Sequence, residues 1–301
     1  MLQRASSFLK QFRSDIPKGE YIRLFLSILF YFSTSFLLAN FYVISDRRLS
    51  YQTLPEHAIH FPLRDLVFES FPLIRDPNIA HLLVSTFFLL AFVGNLFFNI
   101  CLWLESLIVA RRFFWIAAWL SLFQAATMIV TTVPSPPLLV SPQSCSSAHA
   151  VAVVEPGWDS VVTALKVMFW MEKTCTAAII SGQTMLIVVC LMFWYIYAKY
   201  WVFIIYALVH AIGAIVVSSL AHLQYTTSTL LGVFVAYLFI SLYLHNVYCA
   251  VELRLNKLRT LNDADEVETK TLIKTMVVKR FANLHLPAII GWMDGVDLRV
   301  N

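Results

Sequence analysis

The stretch CTAAIISGQT, residues 175–184, turns at Ser181-Gly182 and then enters an apolar run, with Thr184 just inside it. Unpaired backbone N–H groups at such a helix start attract phosphate through the aligned peptide dipoles. An ionisable side chain directly after the turn would let the same spot act on a lipid phosphodiester. Imidazole suits that task because its lone pair is available near neutral pH, for attack or for proton relay. The position holds Gln183 instead. A carboxamide donates and accepts hydrogen bonds but has no basic lone pair at nitrogen. The plainer reading of Ser181, Gly182 and Thr184 is an ordinary capped span start. Three histidines are the other candidate proton carriers, His222, His149 and His81. His222, within LAHLQYTTST, reads chiefly as structural or interfacial, with a rescuing acid/base as the alternative. His149 lies in a long loop, His81 at a span end, and His210 reads as a buried polar group paired across helices.

The elements that must position these residues are membrane helices. Hydrophobic residues make up 59% of the chain, aromatic residues 15% and charged residues 13%, and the mean hydropathy is +0.73. The charged share is about half that of a soluble domain, and a net charge of +4 gives no case for nucleic-acid binding. A crossing needs about 20 apolar residues. Six candidates meet that need, near 24–44, 80–104, 113–133, 178–198, 201–221 and 229–249. The expected fold is therefore all-α and polytopic, with six transmembrane helices. Asn95 and Asn99, inside the second candidate, would face the bundle interior. PSPPLLVSPQ, residues 134–143, stops the third candidate.

Basic residues set the orientation. The N-terminal tail, the 105–112 and 198–201 connections and the C-terminal tail together carry sixteen lysines and arginines, and the opposite loops carry six. Both termini are thus expected in the cytosol, with the 134–177 loop and the helix ends near 180 and 225 facing the lumen or the exterior. The domain reading has three parts: an amphipathic cytosolic tail over 1–23, a membrane domain over 24–249 and a cytosolic tail over 250–301. In the first tail Phe8, Leu9, Phe12 and Ile16 share a helical face suited to the surface of the leaflet. In the last, Val251, Leu255 and Leu258 continue the sixth span, and Ile273, Met276, Val277 and Phe281 make a second apolar face, solvated or skimming the membrane. Cys101, Cys190 and Cys249 fall in apolar segments and read as small hydrophobes. Cys145 and Cys175 lie on the oxidising side and form a candidate disulfide, the alternative being two free thiols. No cysteine pair has zinc-type spacing, and neither a metal nor a cofactor is expected.

Three stretches resemble the sphingomyelin synthase family, ceramide phosphotransferases related to the lipid phosphate phosphatases. RRFFWIAAWLSLFQAATMIVTTVPSPP, residues 111–137, is similar to the family's second motif in its Arg-Arg-x-Phe start and its Thr-Met-x-Val-Thr-Thr-x-Pro-x-Pro end. CTAAIISGQT is similar to Cys-Gly-Asp-x-x-x-Ser-Gly-His-Thr, and LAHLQYTTST to Ala-His-Asp-His-Tyr-Thr-x-Asp. FPLRD at 61–65 is a weaker likeness to Pro-Leu-Pro-Asp. The resemblance covers about residues 60–245, in the family's order. It implies transfer of phosphocholine from phosphatidylcholine to ceramide, with one histidine as nucleophile and a second, oriented by an Asp, as acid and base.

Carried over position by position, that machinery is missing. The first histidine's position is Gln183, the second's is Gln224, and the orienting Asp's is Ser228. Two further Asp positions are Ala177 and Leu223, an expected Arg is Gln124, and Arg64 stands where the family has Pro. His222 matches a non-catalytic histidine of the pattern. Membrane-embedded ionisable groups persist where something uses them, so the joint loss reads as release from catalysis. What remains could hold a headgroup, with Ser181, Gly182, Thr184, Tyr225 and Gln124 as the candidate contacts. The first functional reading is a pseudoenzyme of sphingolipid metabolism that binds ceramide, phosphatidylcholine or diacylglycerol, or pairs with an active relative or with itself. The alternative is an active ceramide phosphotransferase. Either would sit in a secretory-pathway membrane, Golgi, endoplasmic reticulum or plasma membrane. A channel or transporter finds little support, because the spans show no charged pathway.

Overall fold

The computed structural model describes residues 18–52, 65, 67, 70, 82, 86, 103–131, 133–134, 158–169, 174, 176–198, 201–221, 224–262, 290 and 292–294. Helix α1 covers Lys18–Gln52, α2 Trp103–Val130, α3 Trp158–Met168, α4 Gly182–Tyr197, α5 Trp201–Leu220 and α6 Thr226–Asn262. Two short strands, β1 (Val133–Pro134) and β2 (Thr176–Ala177), pair antiparallel with Val133 opposite Ala177. Four helices carry stretches long and apolar enough to cross a membrane: Gly19–Arg48 in α1, Leu107–Val130 in α2, Trp201–Leu220 in α5 and Thr226–Val251 in α6.

The packing follows membrane rules rather than those of a soluble core. Small residues occupy the interior: Ala117, Ala118 and Ala125 on α2, and Ala207, Ala211 and Ala214 on α5, are nearly inaccessible. Large apolar side chains such as Phe25, Trp201, Val209, Leu230 and Phe234 face outward. Small side chains let helix backbones approach closely, and a lipid exterior imposes no cost on exposed Phe or Leu. Several polar side chains inside the spans bond back to their own helix, as Ser27 does to the Arg23 carbonyl at 2.9 Å and Asn40 to the Phe36 carbonyl at 2.8 Å. That satisfies them without water.

Contacts at the helix ends give the directions. At one end Glu20 of α1 pairs with Arg111 of α2, and at the other Arg48 of α1 donates to the Ile129 carbonyl of α2 at 2.7 Å. Helices α1 and α2 therefore run parallel, with Phe30 lodged against Trp115 and Trp119 between them, centroids 5.1 and 5.6 Å away. Helix α4 runs back against α2, since Arg112 meets Tyr197 at its far end and Gln124 lies against Gly182 at its start. Helix α5 reverses again, with Trp194 packed on Phe203, and α6 runs with α4.

The start of the 178–198 span is corrected. Helix α4 has 16 residues and begins only at Gly182. At about 1.5 Å per residue it is roughly 24 Å long, short of the roughly 30 Å hydrocarbon layer. The cause lies in its first residues. Pairing with β1 keeps Thr176–Ala177 extended, and Ser181, at φ −70° and ψ 109°, caps the helix and accepts from the Thr184 N–H. Of the 80–104 span, only Leu82, Thr86 and the start of α2 fall within the described residues. Helix α1 begins at Lys18, earlier than the reading near 24, and α6 runs past Val251 to Asn262 as the apolar continuation suggested. The 134–177 loop contains α3, which buries Thr163 and Ala164 beside Ala39 and Val43 of α1. His210 is half-buried rather than buried, and its Nδ1 lies 3.2 Å from the Tyr206 hydroxyl one turn away on the same helix.

Gly232 of α6 sets how closely α6 approaches α4. A Cβ there would lie 2.9 Å from the Ser181 carbonyl oxygen and 3.2 Å from the Thr184 Cβ, whereas one at Gly213 would meet nothing within 4 Å. Gly232→Val should therefore destabilise the protein by about 1–3 kcal/mol, the usual cost of overpacking a tight contact. Gly213→Ala should leave stability unchanged or raise it slightly. Thermal unfolding in detergent compares the two, and equal midpoints would remove this account of the crossing.

Candidate functional site

Two helix starts meet at one end of the bundle. Ser181 donates its backbone N–H to the Ser228 carbonyl at 3.1 Å, which ties the entry of α4 to the first turn of α6. Its Oγ accepts from the Thr184 N–H at 3.0 Å and lies 2.8 Å from the Thr184 hydroxyl. The same Oγ bonds to the Gln224 side-chain carbonyl, and Thr184 Oγ1 reaches that oxygen at 3.2 Å. Gln224 then donates through Nε2 to Gln183 Oε1 at 2.6 Å. Ser228 donates through Oγ to the Ala178 carbonyl at 3.2 Å. Gln183, Gln224 and Ser228, which lie up to 45 positions apart in the chain, thus belong to one polar cluster.

One wall of the cluster comes from α1 and α2. Gln124 is buried, sits against Gly182, and donates from Nε2 to the Tyr42 hydroxyl at 3.1 Å. On α5 the inward row Ala207, Ala211, Ala214 packs on Ile187, Cys190 and Trp194 of α4. One further turn along that row is Ser218. Ser218 is buried, and its hydroxyl has no partner among the described residues.

Helix α6 is capped from elsewhere in the chain. Asp65 takes the Thr226 N–H on Oδ2 at 2.6 Å, and the Thr226 hydroxyl and the Val67 N–H on Oδ1 at 2.7 and 3.0 Å. A carboxylate on the first turn of a helix meets the positive end of its dipole. It also occupies the donor that an incoming anion would use. The α4 start is likewise partly satisfied by Ser181. Tyr225, a proposed headgroup contact, is buried, and its carbonyl accepts the Thr229 N–H at 3.0 Å.

Chemically the cluster can orient a ligand through neutral donors and acceptors. Carboxamides and hydroxyls pair with hydroxyl, amide or phosphoryl oxygen groups, but none of them takes up a proton near pH 7. Among the described residues no group of three or more His, Cys, Asp or Glu side chains could hold a metal. The structure brings together Ser181, Gly182, Thr184, Gln183, Gln224, Ser228 and Gln124. His222, His149, His81, Cys145, Cys175, Arg64 and Leu223 lie outside the described residues. Cys190 is buried among apolar side chains, as a small hydrophobe should be.

Tyr42 and Asp65 were not singled out in the sequence. Asp65 did carry a signal, as the last residue of FPLRD. Tyr42 carried none, because one tyrosine in an aromatic span looks like its neighbours.

No family model matches the chain, and no curated protein matches it. What the fold defines is a class: a helical protein with four helices long and apolar enough to cross a bilayer and a partly buried cluster of neutral polar side chains where two helices begin.

The amide pair is testable by itself. Gln224→Leu leaves Gln183 Oε1 without this donor, and Ser181 and Thr184 without this acceptor, so it should cost about 1–3 kcal/mol. Gln183→Leu should cost less, since it strands one group. The double variant should be less damaging than the sum of the two, with a coupling of at least about 0.5 kcal/mol. Additive effects in detergent unfolding would show that the carboxamides do not act on each other.

Proposed function

We propose that the chain is a sphingomyelin-synthase-related integral membrane protein that binds a lipid headgroup without transferring it. The observation that carries this is the meeting of Gln183, Gln224 and Ser228. These are the positions where the resemblance calls for His, His and Asp, and they lie on two segments joined by the 2.6 Å amide contact and the Ser181–Ser228 backbone bond. Unrelated positions would have no reason to converge. With carboxamides and a hydroxyl there, the site keeps hydrogen-bonding capacity and lacks a nucleophile and a proton relay.

The helix directions support the wider reading. Helices α1 and α2 run parallel, and the apolar run near 80–104 is long enough to be a crossing between them. Together with the short α4 this makes six crossings, with α1 starting and α6 finishing on the same side. The excess of basic residues assigns that side to the cytosol. The Gln cluster then faces the lumen or the exterior of a secretory-pathway membrane. Its ligand is ceramide, phosphatidylcholine or diacylglycerol, and an active relative or a second copy of the chain is the fitting protein partner.

Purified protein in liposomes containing labelled ceramide and phosphatidylcholine should form no more product than protein-free liposomes. Photoactivatable ceramide should crosslink to peptides containing Ser181–Thr184 or Gln224–Ser228. Sustained product formation would overturn the non-catalytic half of the proposal. Crosslinking no greater than to an unrelated membrane protein would overturn the lipid-binding half.

A further inference from the structure

At the end of the bundle away from the Gln cluster, a short piece of the C-terminal tail is built into the helices. Asp294 is 1% exposed, Arg111 1% and Glu20 2%. The Asp294 carboxylate receives Arg112 through both Nε and Nη2, one on each oxygen, and the Tyr243 hydroxyl at 3.2 Å. Its backbone carbonyl accepts from Arg111, whose other terminal nitrogen donates to Glu20. Its N–H closes a turn on the Ile290 carbonyl at 2.7 Å. Arg112 also donates to the Tyr197 hydroxyl at 2.5 Å. The Arg23 guanidinium lies 5.0 Å from the centre of the Trp292 ring, and Ile290 is buried in the apolar core with Tyr243 and Val247. Through Ile290, Trp292 and Asp294 this short segment reaches α1, α2 and α6 directly, and α4 by way of Arg112.

We infer that Ile290, Trp292, Met293 and Asp294 form an ion-locked strap, with Asp294 as the key and the Arg111-Arg112 pair as the socket, and that this strap holds the near ends of α1, α2, α4 and α6 together. The chemistry favours a lock over an incidental contact. A two-pronged guanidinium–carboxylate pair fixes orientation as well as distance. Removing one member of a buried pair leaves the other charged and dry, so partial opening is disfavoured. The arginine that grips the strap also holds Tyr197, the last residue of α4, so the strap fixes the helix whose first turn carries Gln183. This assigns a role to the Arg-Arg pair that neither side selection nor headgroup binding requires, and it does not depend on which ligand the Gln cluster takes.

The test is to cut the folded full-length chain. A protease site inserted between Asn262 and Ile290, with a tag at the C-terminus, allows cleavage in detergent after purification. The C-terminal fragment should stay with the bundle through size-exclusion chromatography. In Asp294→Asn it should be released at least tenfold faster. Prompt loss of the unaltered fragment would overturn the strap outright, and this arm relies on no variant that has to fold. Equal retention of the fragment carrying Asp294→Asn would overturn the ionic lock.

Discussion

The single constraint on which the rest depends is the crossing of two helix starts at Ser181. One residue supplies the cap of α4, the N–H that reaches α6, and the hydroxyl that engages Gln224. Its carbonyl leaves room only for glycine at position 232. Because a cap dictates where a helix begins, this contact also determines which residues become the first turn, and so which side chains stand next to Gln224. Had α4 begun at Ala178, Gln183 would sit a turn deeper on another face.

Around that crossing the molecule separates two kinds of polar burial. The Gln–Ser–Thr cluster is neutral, and each bond in it is replaceable. The far end is ionic, with Arg111, Arg112, Glu20 and Asp294 satisfying one another. A neutral cluster can exchange partners with a ligand at modest cost, whereas desolvated charges exchange partners only at high cost.

Much of this was legible in the sequence for reasons that are physical. Apolar length revealed α1, α2, α5 and α6, because bilayer thickness sets a minimum that few soluble segments meet. Ser181-Gly182 announced a helix start through cap chemistry. Length misled at α4, where apolar composition continues through Ala178–Ile180 although the strand pairing just before it and the Ser181 cap delay the helix. Helix α3 was hidden because its 11 residues give barely three turns of pattern inside a loop rich in proline. His210 lies 3.2 Å from the hydroxyl of Tyr206, one turn away on the same helix, and is half-buried because the side of α5 it shares with Tyr206 is largely exposed. The docking of Asp294 had no local signal, since a lone acid in a charged tail looks like any solvated residue.

The brevity of α4 has a geometric consequence for how anything arrives at Gln183. In the proposed bilayer placement, with its last residue Tyr197 moored among the arginines at one face, a helix roughly 24 Å long stops about 6 Å short of the opposite edge of the hydrocarbon. The amide pair would then be recessed beneath the headgroup plane. A water-soluble molecule would have to burrow to reach it, whereas an amphiphile already resident in the leaflet needs only to slide sideways between helices.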